Sequence, residues 1–392
     1  MDSKTPESQA ATESYILHLL SQICSESTDP EIIQLLAASA TSEIHPIFAR
    51  QRWVGLSDTD FLRLSPALVL ASRLLTSPQA LHFWHAFIYG PRTTVVDLNG
   101  KQQSCFHRVF QDQTQPLPAE EEQKVRQNLH DVAFTLVDIS PAVLPEDIGG
   151  VCYALPGSPI SHVLPAVDST HPGRCSRIMI QKSSCDEINP AKTEPDELLR
   201  QWLLFARVLV HEVSHTIAIA RDYERGDEEF YETSPTIEMG HHIEEKVFGG
   251  LLTWDEELGD EGVLLVLQSS SPSIISAYEN TLAQQIPFPE DAAIMTIAKD
   301  DWVAKLFTVP FWETDVVLSN GMALHPPYCP CICPASLECL DETAVVLTAR
   351  QEQLMRHVQA LTPEEVMKSE DRDVLRRLRR ELDVDMTGCI DV

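Results

Sequence analysis

One short stretch limits this chain more than any other: His211-Glu212-Val213-Ser214-His215, set inside LLRQWLLFARVLVHEVSHTIAIARDY. The apolar residues of that segment recur at helical spacing. On a helix, two histidines four positions apart lie on one face, one turn from each other. Both imidazoles can then reach a single zinc ion, each at about 2.0–2.1 Å. Glu212 projects beside the same point. A carboxylate there can take a proton from a water molecule and pass it to a leaving group. Glu212 is also the only charged residue between Val208 and Ala220. A helix so poor in charge runs through a core, where an unpaired carboxylate is costly. The competing account is a buried helix with two packed histidines. The pattern favours a catalytic zinc helix and metal-assisted hydrolysis.

VLVHEVSHTI resembles the active-site helix of zincin metallopeptidases. Among zincins, the metzincin subtype requires Gly and His three and six residues after the second histidine. Here those positions hold Ala218 and Arg221. The GTxD signature of deuterolysin-like zincins is absent as well. The gluzincin subtype takes a glutamate from a following helix, and this chain offers ETSPTIEMGHHIEEKVFGG. The resemblance implies Glu238 as third ligand. It opens an E-x-G-x-x-x-E pattern with Gly240 and Glu244, in a helix expected after Ser234-Pro235. Gly240 can let that helix approach the zinc helix closely. Glu244 is the alternative ligand, or else orients a histidine from behind. His241 and His242 are rival third ligands. Glu212 is the expected general base, and Tyr231, Tyr223, His241 and His242 are candidate oxyanion donors. The segment from about 196 to 250 is also similar to fungal proteins that pair HExxH with E-x-G-x-x-x-E-x-x-x-F-G-G.

The resemblance thus implies a zinc-dependent hydrolase, a peptidase or amide hydrolase acting on a peptide or small-molecule substrate, with Zn²⁺ as cofactor. Two other readings stay open. One is a zinc enzyme of small-molecule, biosynthetic chemistry on a peptidase-like scaffold. The other is a non-catalytic zinc-binding protein.

Charge narrows the partners. The net charge is −30, from 59 acidic and 29 basic residues. Nucleic acid and anionic membranes recruit basic surfaces, so neither is an expected partner. The start, MDSKTPESQAATES, lacks the basic and apolar regions of a secretory signal. No uncharged run approaches the roughly 20 residues needed to span a bilayer. The expectation is a cytoplasmic protein, its ten cysteines consistent with free thiols. Nothing in the sequence fixes the oligomeric state.

The expected class is α+β: mostly helical, with a small mixed sheet beside the HExxH helix. Residues 1–12 read as a disordered tail and 13–93 as a helical region, with YILHLLSQICS and PEIIQLLAASA as short helices. Two further helices are expected over 62–90, starting at Ser65-Pro66 and broken near Thr76-Ser77-Pro78. Residues 94–320 read as the catalytic core, with the zinc helix at about 196–222 and the third-ligand helix at about 235–248. TTVVDL, AFTLVDI, GVCYAL and SRIMIQKS have strand character, and LPAEEEQKVRQNLHDVA reads as an exposed helix. By resemblance, Ile178 to Gln181 is the sheet edge that receives an extended substrate. After Gly250 the chain reads as largely helical through DEGVLLVLQ, PSIISAYENTLAQQ and DDWVAKLF. Residues 321–345 form a proline- and cysteine-rich loop carrying Cys329, Cys331, Cys333 and Cys339. Free thiols or a partial disulfide are favoured there over a second, structural zinc. Residues 346–392 are expected to close the chain as helices, the last with a narrow apolar stripe from Val366 to Leu382.

Overall fold

A computed structural model describes residues 29–96, 102–110, 112, 114–132, 136–140, 149–154, 160–161, 173–221, 229–232, 238–255, 263–268, 293–326 and 330–333. Its helices are α1 (Pro30–Thr41), α2 (Asp58–Leu75), α3 (Pro78–Tyr89), α4 (Ala119–Asp131), α5 (Lys182–Glu187), α6 (Pro195–Arg221), α7 (Met239–Phe248) and α8 (Asp300–Leu306). Its strands are β1 (Trp53–Val54), β2 (Arg92–Val96), β3 (Gln102–Phe106), β4 (Leu136–Ser140), β5 (Gly150–Ala154), β6 (Ile160–Ser161), β7 (Gly173–Arg174), β8 (Ser176–Gln181), β9 (Phe230–Tyr231), β10 (Leu251–Asp255), β11 (Val263–Gln268), β12 (Ala293–Ile297) and β13 (Pro330–Cys333). The class is α+β, helical for the most part with a small mixed sheet. The expected N-terminal tail and first helix, PSIISAYENTLAQQ, Cys329, Cys339 and the C-terminal helices lie outside the described residues.

Helix α6 organises the core. Leu198, Trp202, Leu203, Ala206, Leu209, Val213 and Ile217 along it are all fully buried. They follow the three-to-four-residue spacing that places one stripe against neighbouring elements. Those neighbours include α2, α7, α8, β5, β7, β8 and β10. By length and composition α6 is apolar enough to cross a membrane, but most of that span is buried inside the fold.

The break between α2 and α3 falls at Ser77-Pro78 as expected, with the Ser77 hydroxyl capping Ala80 N–H at 3.4 Å. The start of α2 does not fall at Ser65-Pro66. Ser57 caps the helix instead, accepting from Asp60 N–H at 3.0 Å, and Asp58 and Asp60 complement the helix dipole. Pro66 therefore sits inside the helix, where its missing N–H frees the Leu62 carbonyl. The Ser65 hydroxyl takes that carbonyl over, donating at 2.7 Å. The proline is tolerated because its neighbour replaces the lost bond.

The sheet beside α6 has the order β1-β4-β8-β5. β1, β4 and β8 run parallel, and β5 runs antiparallel to β8. This corrects the edge expectation: Ile178–Gln181 belongs to β8, an interior strand held on both sides, and β5 is the edge. β5 covers it because GVCYA pairs residue for residue with β8, Cys152 opposite Ile178. A second correction concerns VLLVLQ. It forms β11, between antiparallel β10 and β12, and not a helix. A short continuous apolar run fits a buried strand and a buried helix equally well, and only its pairing decides. Pro330–Cys333, expected as loop, forms β13 at the edge of that sheet, a position where proline costs no ladder bond.

Candidate metal centre

α6 carries His211 and His215 on one face, with rings 5.2 Å apart between centroids. α7 meets that face. Gly240 and Glu244, one turn apart, point toward α6, while His242 and Lys246 point the other way. Glu238 stands just before the helix. The helix begins at Met239, not at about 235 as expected, and Glu238 is its N-cap residue, with Gly240 N–H donating to its Oε1 at 3.0 Å and His241 N–H to its Oε2; Ser234 and Pro235 lie outside the described residues. Gly249, at φ 76°, ends the helix in the left-handed conformation that glycine adopts freely.

Three side chains converge. Glu238 Oε1 lies 2.8 Å from His215 Nε2 and 3.4 Å from His211 Nε2. One donor atom from each of His211, His215 and Glu238 falls within 4.8 Å of the other two. Two imidazoles and one carboxylate form a donor set suited to zinc. Glu244 occupies the opposite side of the first ring. Its Oε1 accepts from His211 Nδ1 at 2.9 Å and pairs with Arg207 Nε at 2.8 Å, and its Oε2 accepts Leu252 N–H at 3.2 Å. Holding Nδ1 in this way directs Nε2 toward Glu238. Glu244 thus orients a histidine and does not offer its carboxylate to the same point.

Electrostatics follow from burial. Burial opposes the charge of Glu238, yet His211, His215 and His241 outweigh it and hold the carboxyl well below its usual range. Glu244 is likewise lowered, by Arg207 and His211 against the cost of burial. Burial alone would lower His211, but Glu238 and Glu244 raise it. Glu212 moves the other way: burial raises its pKa, and its Oε2 is buried with no hydrogen-bond partner among the described residues. Metal ligation would require neutral histidines, and the carboxylates of Glu212, Glu238 and Glu244, if ionised, would then face one guanidinium among the described residues, that of Arg207. Three negative charges against one positive leave two, which one divalent cation balances. The donor set, the orphaned oxygen and this balance all fit a zinc ion.

The remaining candidates separate by location. His241 lies at the site, its ring 5.6 Å from that of His211 and its Nδ1 3.4 Å from Glu238 Oε2. Burial lowers its pKa, so it is neutral near pH 7. His242 is fully buried among Phe83, Phe106 and Tyr231, at 6.5, 6.4 and 6.1 Å between centroids, and serves packing. Tyr231 belongs to the same aromatic cluster, with Lys246 Nζ 4.8 Å from its ring, and packs there against His242 rather than beside His211 and His215 as an oxyanion donor. Tyr223 lies outside the described residues. Sequence reasoning missed Arg207. The signal was there: a lone cation one turn before His211 on the same helical face.

No family model, no curated protein and no solved structure matches the chain.

Proposed function

We propose that this protein is a zinc-dependent hydrolase that cleaves a peptide or related amide. The observation that carries the reading is the convergence of the His211 and His215 Nε2 atoms on Glu238 Oε1, beside a buried Glu212 oxygen without a partner. His211, His215 and Glu238 would hold the metal. A zinc ion so bound supplies Lewis acidity toward a substrate carbonyl and an attacking water. Glu212 takes the proton released by that water and hands it to the leaving nitrogen. Its raised pKa suits both halves of the task, since a base effective near neutral pH must also give the proton back. Glu244, fixed by Arg207 and Leu252 N–H, keeps His211 turned with Nε2 inward. His241, kept neutral by burial, can donate one ring N–H to oxygen charge developing at the carbonyl.

The sheet supports a peptide over a compact small molecule. β5 is an edge strand with no partner on its outer side among the described residues, and an extended chain can add there by main-chain bonds. β5 also touches the catalytic helix: a Cβ placed on Gly150 would lie 3.0 Å from Glu212 Cγ. The edge therefore runs past the proposed base.

The test is metal content of the purified protein, beside His211→Ala and Glu238→Ala variants. One zinc per chain in the wild type, lost in both variants, is expected. Zinc retained by Glu238→Ala would remove Glu238 as third ligand. A peptide library should then be cleaved by the wild type, with Glu212→Gln about 10²–10⁴-fold slower at unchanged zinc content. Equal turnover in Glu212→Gln would sink the mechanism.

A further inference from the structure

Gly240 stands where the first turn of α7 rests on α6. A Cβ built there would lie 2.2 Å from both Cε1 and Nδ1 of His211 and 2.4 Å from its Cγ. Those separations are far inside van der Waals contact, about 3.5–4.0 Å for carbon pairs. The atoms met are a ring and not the end of a flexible chain. That ring cannot swing aside without breaking the 2.9 Å bond from Nδ1 to the buried carboxylate of Glu244. Backbone conformation does not demand glycine here, because Gly240 is not among the glycines with positive φ. In a helix an alanine would be the better residue. Close approach is what remains to account for it.

The same turn holds Glu238. Its N–H groups at Gly240 and His241 both donate to the Glu238 carboxylate. Glutamate is not among the favoured N-cap residues, which are the shorter Ser, Thr, Asp and Asn. Its extra methylene carries Oε1 onward to 2.8 Å from His215 Nε2, a reach that capping alone does not need.

We propose that Gly240 is a positioning residue for the metal centre: lacking a side chain, it seats the first turn of α7 on the His211 ring, and that turn holds Glu238 against His211 and His215. The inference rests on the zinc reading above and deepens it, by making ligand placement depend on a residue that touches neither metal nor substrate.

The test uses Gly240→Ala, His211→Ala and the double variant of the full chain. Zinc affinity is read by competition with a chromophoric chelator, and coordination by the visible spectrum of the cobalt-loaded protein. Gly240→Ala is expected to weaken zinc binding about 10–100-fold, the range seen when groups around metal ligands are disturbed, and to alter the cobalt spectrum. In the metal-free proteins Gly240→Ala should lower the melting temperature of the wild type. It should not lower that of His211→Ala, where the ring is gone. Should Gly240→Ala fail to fold while the double variant folds, the clash with His211 is upheld. Failure of both would place the clash elsewhere and overturn the proposal. A lower melting temperature with wild-type zinc affinity and cobalt spectrum would reduce Gly240 to packing, and overturn it too. A wild type that binds no zinc would instead overturn the reading beneath it, while the melting temperatures would still report on the contact.

Discussion

Helix α6 carries two buried ionic clusters, one at its middle and one at its C-terminal end, and they are built from different residues. At the end, Glu229 Oε2 accepts from Arg221 Nη1 at 3.2 Å and from Arg92 Nη2 at 3.0 Å. Its Oε1 accepts from Arg92 Nε at 3.3 Å and from the Ser104 hydroxyl. The Phe87 carbonyl receives Arg221 Nη1 at 2.6 Å and also Arg92, and the Phe87 ring lies 5.0 and 5.7 Å from the two guanidinium carbons. Among the described residues, Arg92 and Arg221 share the Glu229 carboxylate beside a helix C-terminus, where the dipole favours cations. In the middle, three carboxylates face one guanidinium. Among the described residues the middle holds a buried carboxylate oxygen, Glu212 Oε2, without a hydrogen bond. Burial of charge is thus common to both and says little about function. What separates them is composition: at the helix end two guanidinium groups share one carboxylate, whereas in the middle three carboxylates and two histidines gather around the Arg207 guanidinium, a set that a cation from outside would complete.

The comparison breaks most easily at Glu229. Glu229→Ala removes the carboxylate that Arg92 and Arg221 share and should cost about 3–5 kcal/mol in urea unfolding. It should leave zinc content at one per chain. A loss of less than about 1 kcal/mol, or loss of zinc along with stability, would mean the clusters are not the separate devices described. Next in size is the metal itself. At free zinc about 100-fold above its Kd, the wild type should gain about 2.7 kcal/mol of unfolding free energy. Glu229→Ala should keep that increment and Glu238→Ala should lose it. An equal increment in Glu238→Ala would mean that zinc binds elsewhere.

Acid should also tell the clusters apart. Glu238 and Glu244 are lowered in the fold, so their stabilisation is present above the ordinary carboxylate pKa of 4.5 and is lost as pH falls through their folded values. Metal-free Glu244→Gln should therefore show a shallower loss of stability on acidification than the wild type. An unchanged acid limb in chemical denaturation would count against the Arg207–Glu244–His211 arrangement.

How much of this was legible before any coordinates follows from range. His211 and His215 are tied by one helix, so their spacing alone places both rings on one face. Likewise Ser77-Pro78 ends one helix and starts the next by purely local chemistry. Glu238 was legible as a candidate but not as a cap, because helix-compatible residues ahead of Met239 hid the boundary. The edge strand was misread because sheet order is a long-range property. Nothing within SRIMIQ records that β5 will cover it. Arg207 was visible but passed over, since its partner Glu244 comes from another helix. The Arg92–Arg221–Glu229 cluster was invisible, being assembled from segments far apart in the chain.

The smallest predicted effect is also the sharpest, because its sign opposes that of Glu229→Ala. Burial raises the Glu212 pKa in the fold. A raised carboxyl pKa means that the fold favours the protonated form. Its contribution is full below the ordinary value of 4.5 and is lost as pH rises through the folded value. At neutral pH, above the ordinary value, the fold's preference for the protonated form therefore costs the metal-free protein stability. Glu212→Gln keeps the shape and removes the charge, so metal-free stability at pH 7 should rise by about 1 kcal/mol, as active-site residues retained at a cost in stability often allow. The gain should vanish on acidification, where wild-type Glu212 is itself neutral. Parallel urea titrations at pH 4 and pH 7 test both statements. A destabilised Glu212→Gln at pH 7 would show that the Glu212 charge is already compensated by the chain, and the middle of α6 would then join its end as a purely structural cluster.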